Sequence, residues 1–266
     1  MSKPGRVRRG ALTVLAAIAA LLTALLTVGA FEKMLAADSS SGDRFAALPH
    51  APWLALGWSA AFLALVWRAQ HHPAGLQQVL AMLVGLYVGG TLLAPGEDDW
   101  VFVIGFGVVA AGLVALYPDR RSLLRAGPAG PSPLMLPFVL LAAVPLTIYA
   151  FDVMDLYVGP TQGPFYLGVA ATATSAPLVG LVAGLRSAGM RLPTWSAGVM
   201  AASLGIASLL WASDPGAMPM WAALLTLAGS AGFVALGEWE RARASRTPTP
   251  GSVPASDADR QVAAER

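Results

Sequence analysis

Long apolar stretches alternate with short polar connections along the whole chain. Eight of these stretches contain no Asp, Glu, Lys, Arg or His. An α-helix needs roughly 20 apolar residues to cross the hydrocarbon core of a bilayer, and each stretch comes close to that length. The pattern predicts an all-α, polytopic membrane protein with eight transmembrane helices. They are Ala11–Phe31, Ala51–Trp67, Leu76–Ala94, Trp100–Tyr117, Leu134–Phe151, Phe165–Leu185, Trp195–Trp211 and Pro219–Gly237.

A second pattern repeats at a distance of about 120 residues. Thr27–Met34 ends the first apolar stretch and Thr147–Met154 ends the fifth, with Thr, Ala, Phe and Met in matching places and Glu32 aligned with Asp152. The second copy has a shorter first outer connection. We therefore predict a tandem duplication of a four-helix unit, with the two copies parallel in the membrane because each contains an even number of helices.

Composition supports the membrane assignment. The chain is 56% hydrophobic and 12% charged, with a mean hydropathy of +0.63, whereas soluble domains carry about 25% charged residues. Seven of the eight Trp lie near the ends of predicted helices, where interfacial Trp is expected: Trp53, Trp67, Trp100, Trp195, Trp211, Trp221 and Trp239. The chain has no Cys, which excludes disulfides and thiolate sites.

The basic residues predict the orientation. The N-terminus, the even-numbered connections and the C-terminal segment hold 15 of the 17 Lys and Arg residues. The positive-inside rule therefore places both termini in the cytoplasm of a multi-pass protein of the plasma (inner) membrane. The 16 Arg against one Lys indicate a GC-rich bacterial source. The predicted parts are a basic N-terminus (1–10), a first membrane unit (11–117), a cytoplasmic linker (118–133), a second membrane unit (134–240) and a disordered cytoplasmic tail (241–266).

The length of the first apolar stretch decides whether it is expected to be a cleaved signal peptide. The first apolar stretch exceeds the 7–15 residues of a signal-peptide core, so we expect the first helix to be retained.

The three histidines, His50, His71 and His72, fall in or beside loops. They therefore offer no pair at membrane depth that could bind haem.

Acidic residues collect on the opposite side and form one candidate site. Carboxylates are suitable ligands for Ca²⁺, Mg²⁺ or Mn²⁺, so convergence of these side chains would create an outer site for a divalent cation or a cationic solute. Which metal it would take is unknown. The alternative is that short polar loops simply favour Asp. The candidate residues are Glu32, Glu97, Asp98, Asp99, Asp152 and Asp214.

Uncharged polar residues inside the predicted helices form a second candidate site. Hydroxyl groups could line a path for a solute through an interior that lacks charge. The candidate residues are Thr91, Thr172, Thr174, Ser175, Ser203 and Ser208.

Three functional interpretations remain open. The chain has no nucleophile, metal or phosphate-binding motif, so we expect no enzymatic activity and no cofactor; a membrane enzyme has the least support. Duplication favours a permease-like transporter of a small solute. The charge-free interior equally fits a structural or accessory subunit of a membrane complex. The expected partners are the lipid bilayer and, beyond it, other membrane subunits or a second copy of the chain. Gly85 and Gly89 have the spacing of helix-contact glycines, for which we expect packing within the chain rather than dimerisation. No nucleic-acid partner is expected.

Overall fold

A computed structural model describes residues 3–36, 40–68, 73–89, 99–128, 130–155 and 165–246. This part of the chain is helical and contains no β-strand. A π-helical segment, Trp53–Ser59, joins the helices Ser41–Pro52 and Ala60–Arg68 without a break, so that these three elements form one long helix. The helices are α1 (Lys3–Leu35), α2 (Ser41–Pro52), α3 (Ala60–Arg68), α4 (Pro73–Tyr87), α5 (Asp99–Leu116), α6 (Met135–Asp155), α7 (Phe165–Gly184), α8 (Arg191–Leu210) and α9 (Met220–Arg246).

Six helices are long and apolar enough to cross a membrane, which fits a helical membrane protein. Four of these spans belong to α1, α6, α7 and α8. The fifth is the continuous helix through α2, the π-helical segment and α3, and the sixth is α9. The helices Pro73–Tyr87 and Val103–Leu116 are apolar but shorter. The described chain therefore has a helix for each of the eight predicted stretches, while six of them meet the length of a span.

The second predicted helix begins ten residues earlier than the sequence indicated, at Ser41 rather than Ala51. Its start is a capping box, in which Ser40 Oγ accepts a hydrogen bond from the Asp43 backbone N–H and the Asp43 carboxylate accepts one from the Ser40 N–H. Such a box satisfies free N–H groups at a helix start. Pro49 and Pro52 lie inside the helix. Because Pro lacks a backbone N–H and usually interrupts a helix, the sequence around them does not indicate a continuous helix.

The helices form two four-membered rings that meet along a shared face. In the first ring α1 contacts the long helix, the long helix contacts α4, α4 contacts α5, and α5 returns to α1. In the second ring α6, α7, α8 and α9 contact one another in the same order. The rings meet where the long helix and α4 pack against α7 and α8. The second and third helices of each ring therefore form the interface between the halves.

Burial separates the central from the peripheral helices. In the most apolar 18-residue part of α7, 89% of the residues are buried, whereas only 22% are buried in the corresponding parts of α6 and α9. The exposed faces of the peripheral helices carry large apolar side chains such as Leu141 and Trp221. Because lipid is as apolar as these side chains, such faces suit contact with acyl chains.

Residues of α2 that precede the predicted start of the second helix pack into the second half. Phe45 and Ala46 of α2 are fully buried against the outer parts of α6, α7 and α8, together with residues such as Ala150 and Leu204. The residues that precede the predicted start of the second helix therefore help to join the two halves.

The predicted inner ends are also ordered. The linker begins with a 3-10 helix, Arg120–Leu124, and its Gly127 N–H donates a hydrogen bond to the Leu185 carbonyl. Helix α9 continues to Arg246, so part of the segment predicted as a tail is helical. Residues 247–266 lie outside the described part.

Candidate functional site

The π-helical segment lies in the middle of the long apolar helix, at the interface between the halves. Leu54, Gly57 and Ser59 of this segment are buried. A π-helical turn is a rare feature that often occurs at functional sites. Pro52 directly precedes the segment and lacks the N–H that would continue a regular helix. Gly57 lies so close to the end of the Met82 side chain that a Cβ atom there would require this side chain to move.

Side chains from two other helices bind the backbone of this segment. The Gln78 Nε2 group of α4 donates to the carbonyl oxygens of Leu56 and Gly57, at 2.8 and 2.9 Å, and lies 3.1 Å from Ser196 Oγ of α8. Ser196 Oγ donates to the Leu56 carbonyl at 3.0 Å. We call these four residues, Leu56, Gly57, Gln78 and Ser196, the central polar cluster. It joins three helices from both halves.

One atom of the central polar cluster has no partner. Gln78 is fully buried, and its side-chain oxygen Oε1 accepts no hydrogen bond from the described residues. Leaving a buried acceptor unpaired costs about 1–3 kcal/mol. Buried polar groups are nearly always paired, so an unpaired acceptor between the two halves marks this cluster as a candidate binding site.

A groove of about 580 Å³ lies next to the cluster, on the side of the predicted inner surface. It is lined by α3, α4 and α8, the last two of which supply Gln78 and Ser196. Residues three or four positions apart share one face of a helix, about 5.4 Å apart along its axis. Gly75 precedes Gln78 by three positions, and Leu192 precedes Ser196 by four. The lining residues are Ala64, Trp67, Gly75, Gly189, Arg191, Leu192 and Trp195.

Five of the six hydroxyl residues predicted to line a path lie in the described part of the chain, where they are buried and each takes part in a hydrogen bond. Thr172 Oγ1 donates to the Gly168 carbonyl and Thr174 Oγ1 is within reach of the Gly85 and Ala170 carbonyls. The others satisfy their own helix or a neighbour: Ser203 Oγ bonds the Met200 carbonyl, Ser208 Oγ bonds the Leu204 carbonyl and the Met218 N–H, and Ser175 Oγ accepts from Trp53. Thr91 lies outside the described residues. The structure brings Thr172, Thr174 and Ser175 to the interface between the halves, but it gives them structural partners.

The outer acidic residues occupy several different environments. Glu32 and Asp152 are exposed. Asp214 is buried, and its Oδ1 accepts a hydrogen bond from the Gly216 N–H. Asp99 is the first residue of α5, while Glu97 and Asp98 lie outside the described residues. Among the residues described, no three His, Asp or Glu side chains lie close enough to bind one metal ion, so the outer site remains a prediction.

The sequence pattern predicted His50 beside a loop and Trp53 near a helix end, and the structure shows that both predictions are wrong. Both lie inside the long helix because it begins at Ser41. Their rings stack with centroids 5.5 Å apart, and Trp53 is only 3% exposed. The His50 ring packs against Gly168 of α7, its Nδ1 atom buried and without a hydrogen-bond partner among the described residues. The interior therefore contains one ionisable side chain that the apolar pattern placed beside a loop.

Sequence reasoning from ionisable residues misses the central polar cluster because Gln and Ser carry no charge. The available signal was the pair Gln77 and Gln78 inside the predicted third helix. The two differ in their partners. Gln77 is paired at both ends, since Nε2 donates to the Leu123 carbonyl and Oε1 accepts from Ser187 Oγ. Only the tertiary contacts distinguish this paired amide from its half-paired neighbour.

Searches of family models, curated proteins and solved structures found no match to this chain.

Proposed function

We propose that the protein is a permease-like transporter of a small polar solute and that the central polar cluster binds this solute. The observation that supports this proposal most strongly is the buried Gln78 Oε1 atom, which has no hydrogen-bond partner among the described residues at the interface of the two halves. A π-helical segment within the same cluster adds support, since non-helical backbone at membrane depth is tolerated where it is buried in protein or lines a cavity.

The arrangement of the helices also supports transport. We propose eight transmembrane helices in the plasma membrane, with both termini in the cytoplasm, and two parallel copies of a four-helix unit. Both rings use their second and third helices at the interface, as a two-fold relation between copies requires. Binding sites at the interface of repeated halves are typical of transporters, which move one half against the other.

The groove supplies access to the site. Its lining residues Gly75 and Leu192 lie about one turn from Gln78 and Ser196. A rearrangement of one helical turn would therefore connect the groove to the cluster. In the proposed topology the groove opens toward the cytoplasm, so this conformation would be the one that faces inward.

An accessory subunit is the second candidate function. It is favoured by the hydroxyl groups of Thr172, Ser203 and Ser208, which bond backbone carbonyls within their own helices. Groups engaged in this way contribute to packing and are not free to bind a solute. The exposed apolar faces of α6 and α9 would then contact partner subunits as well as lipid.

Purified protein distinguishes the two proposals. We would measure its thermal unfolding against a library of small polar solutes and identify co-purifying proteins by mass spectrometry. Transport predicts that at least one solute raises the unfolding temperature and that Gln78→Leu abolishes this rise. Gln77→Leu is the matched control, because it removes a neighbouring buried amide that lies outside the cluster. A stoichiometric partner protein, with no stabilising solute, would support the accessory role instead.

A further inference from the structure

We infer that the central polar cluster selects a small, electrically neutral solute that donates a hydrogen bond, with Gln78 Oε1 as its acceptor. This inference rests on the proposed function and adds the chemical class of the solute.

The hydrogen-bond inventory of the cluster supports this class. An amide nitrogen has two hydrogens, and Gln78 Nε2 has three acceptors within reach: the Leu56 and Gly57 carbonyls and Ser196 Oγ. The single hydroxyl hydrogen of Ser196 is donated to the Leu56 carbonyl. All donors of the cluster are therefore in use, and the atom left over is an acceptor. A solute that can only accept hydrogen bonds therefore finds no free donor among these four residues.

Trp58 adjoins the cluster in sequence, and its buried Nε1–H has no hydrogen-bond partner among the described residues, so it does not bind Gln78 Oε1. Its indole ring packs on Phe106 of α5, with centroids 4.2 Å apart, and on Phe62 of α3. The ring also meets Trp53 edge-on, with centroids 5.9 Å apart, so it is packed in the core of the first half. The Gln78 and Ser196 side chains meet each other and the Leu56 carbonyl at the interface between the halves.

Charge decides between a neutral and an ionic donor. The four residues of the cluster are uncharged, and the three helical elements that supply them, Trp53–Ser59, Pro73–Tyr87 and Arg191–Leu210, contain one charged residue, Arg191, at the start of α8. A buried cation without a counter-charge is strongly disfavoured. An anion is disfavoured by the carbonyl oxygens of Leu56 and Gly57. A hydroxyl or amide N–H group of a neutral solute meets neither penalty.

Uptake of three labelled probes of similar size tests the inference. The full chain would be reconstituted into phosphatidylcholine vesicles and given urea, methylammonium or formate, which are a neutral donor, a cationic donor and an anionic acceptor. We expect protein-dependent entry of urea only. Gln78→Leu should slow this entry about tenfold, which corresponds to the loss of one hydrogen bond. Gln77→Leu should retain it.

A second variant keeps the test decisive if Gln78→Leu fails to fold. Ala64→Leu narrows the groove and leaves the cluster intact, so it should also slow urea entry. Preferred entry of formate or methylammonium would overturn the inference and leave the transport proposal standing. Urea entry that neither variant alters would also overturn it, because the solute would then pass elsewhere. If no probe enters and the solute library yields no stabilising ligand, the proposed function itself is wrong.

Discussion

The indole Nε1–H of Trp53 donates a hydrogen bond to Ser175 Oγ at 3.0 Å. The two residues are 122 positions apart and belong to the long helix of the first half and to α7 of the second. Both side chains are buried. An indole N–H that is buried needs a partner, so this bond fixes how the two halves face each other.

Replacement of Trp53 should weaken the interface between the halves. Trp53→Phe retains an aromatic ring but removes the donor, and we expect a loss of about 1 kcal/mol in the free energy of unfolding. The measurement is unfolding of the purified protein in detergent. Trp67→Phe is the control, because that indole is 82% exposed and should change little. Equal losses in both variants would show that the hydrogen bond does not stabilise the interface.

Gly85 should tolerate no side chain. A Cβ atom there would lie 2.7 Å from the Ser175 Cα atom of α7, so Gly85→Ala forces α4 and α7 apart. Overpacking of this kind costs typically 1–3 kcal/mol, which can be measured as a fall in unfolding free energy. Because the glycine faces α7, its predicted role in helix contacts is confirmed within the chain. Gly105→Ala is the control: nothing lies within 4 Å of its Cβ position, so the helix should keep or gain stability.

Glu240 should be needed for the predicted inner end of the second half. Its carboxylate pairs with Arg186 at 2.8 Å and accepts a hydrogen bond from Ser132 Oγ, and its side chain is 4% exposed. Removing one partner of a buried pair costs 3–5 kcal/mol. Arg186 retains some contact with solvent, so we expect about 2–4 kcal/mol for Glu240→Ala.

Glu238 provides the matched control two residues earlier on α9. Its carboxylate accepts hydrogen bonds from Trp195 Nε1 and from the guanidinium groups of Arg191 and Arg241, but it lies in a more exposed place. Exposed ion pairs contribute little, so Glu238→Ala should leave the unfolding temperature nearly unchanged. If Glu238→Ala lowered the unfolding temperature as much as Glu240→Ala does, burial would not explain the role of Glu240.

The proposed topology can be tested by labelling single cysteines in intact cells. The parent chain has no Cys, so Glu32→Cys and Arg125→Cys each introduce one thiol, and both positions are exposed. A reagent that cannot cross the membrane should label Cys at position 32 and should label Cys at position 125 only after lysis. The reverse result would invert the orientation. A mature N-terminus near Ala37 would contradict the retained first helix.

The apolar pattern by itself determined the number and rough position of the helices. Long runs without charge, such as Phe165–Gly184, must form helices in lipid because every backbone group has to be paired within the segment. The structure has a helix at each of the eight stretches, and most ends agree within a few residues. The sequence of Ser40 and Asp43 also contained the capping box that begins the second helix, although Pro49 and Pro52 obscured it.

The identity of the candidate site depended on contacts that a linear pattern does not contain. Gln77 and Gln78 are chemically identical neighbours, yet a helix turns by about 100° per residue, since 3.6 residues complete a turn, and so directs them to different partners. Gln77 meets Leu123 and Ser187, whereas Gln78 meets the π-helical segment and Ser196, which is 118 positions away. Hydrophobicity determines that a segment is helical, but the packing of helices distant in sequence decides which of its polar groups remain unpaired.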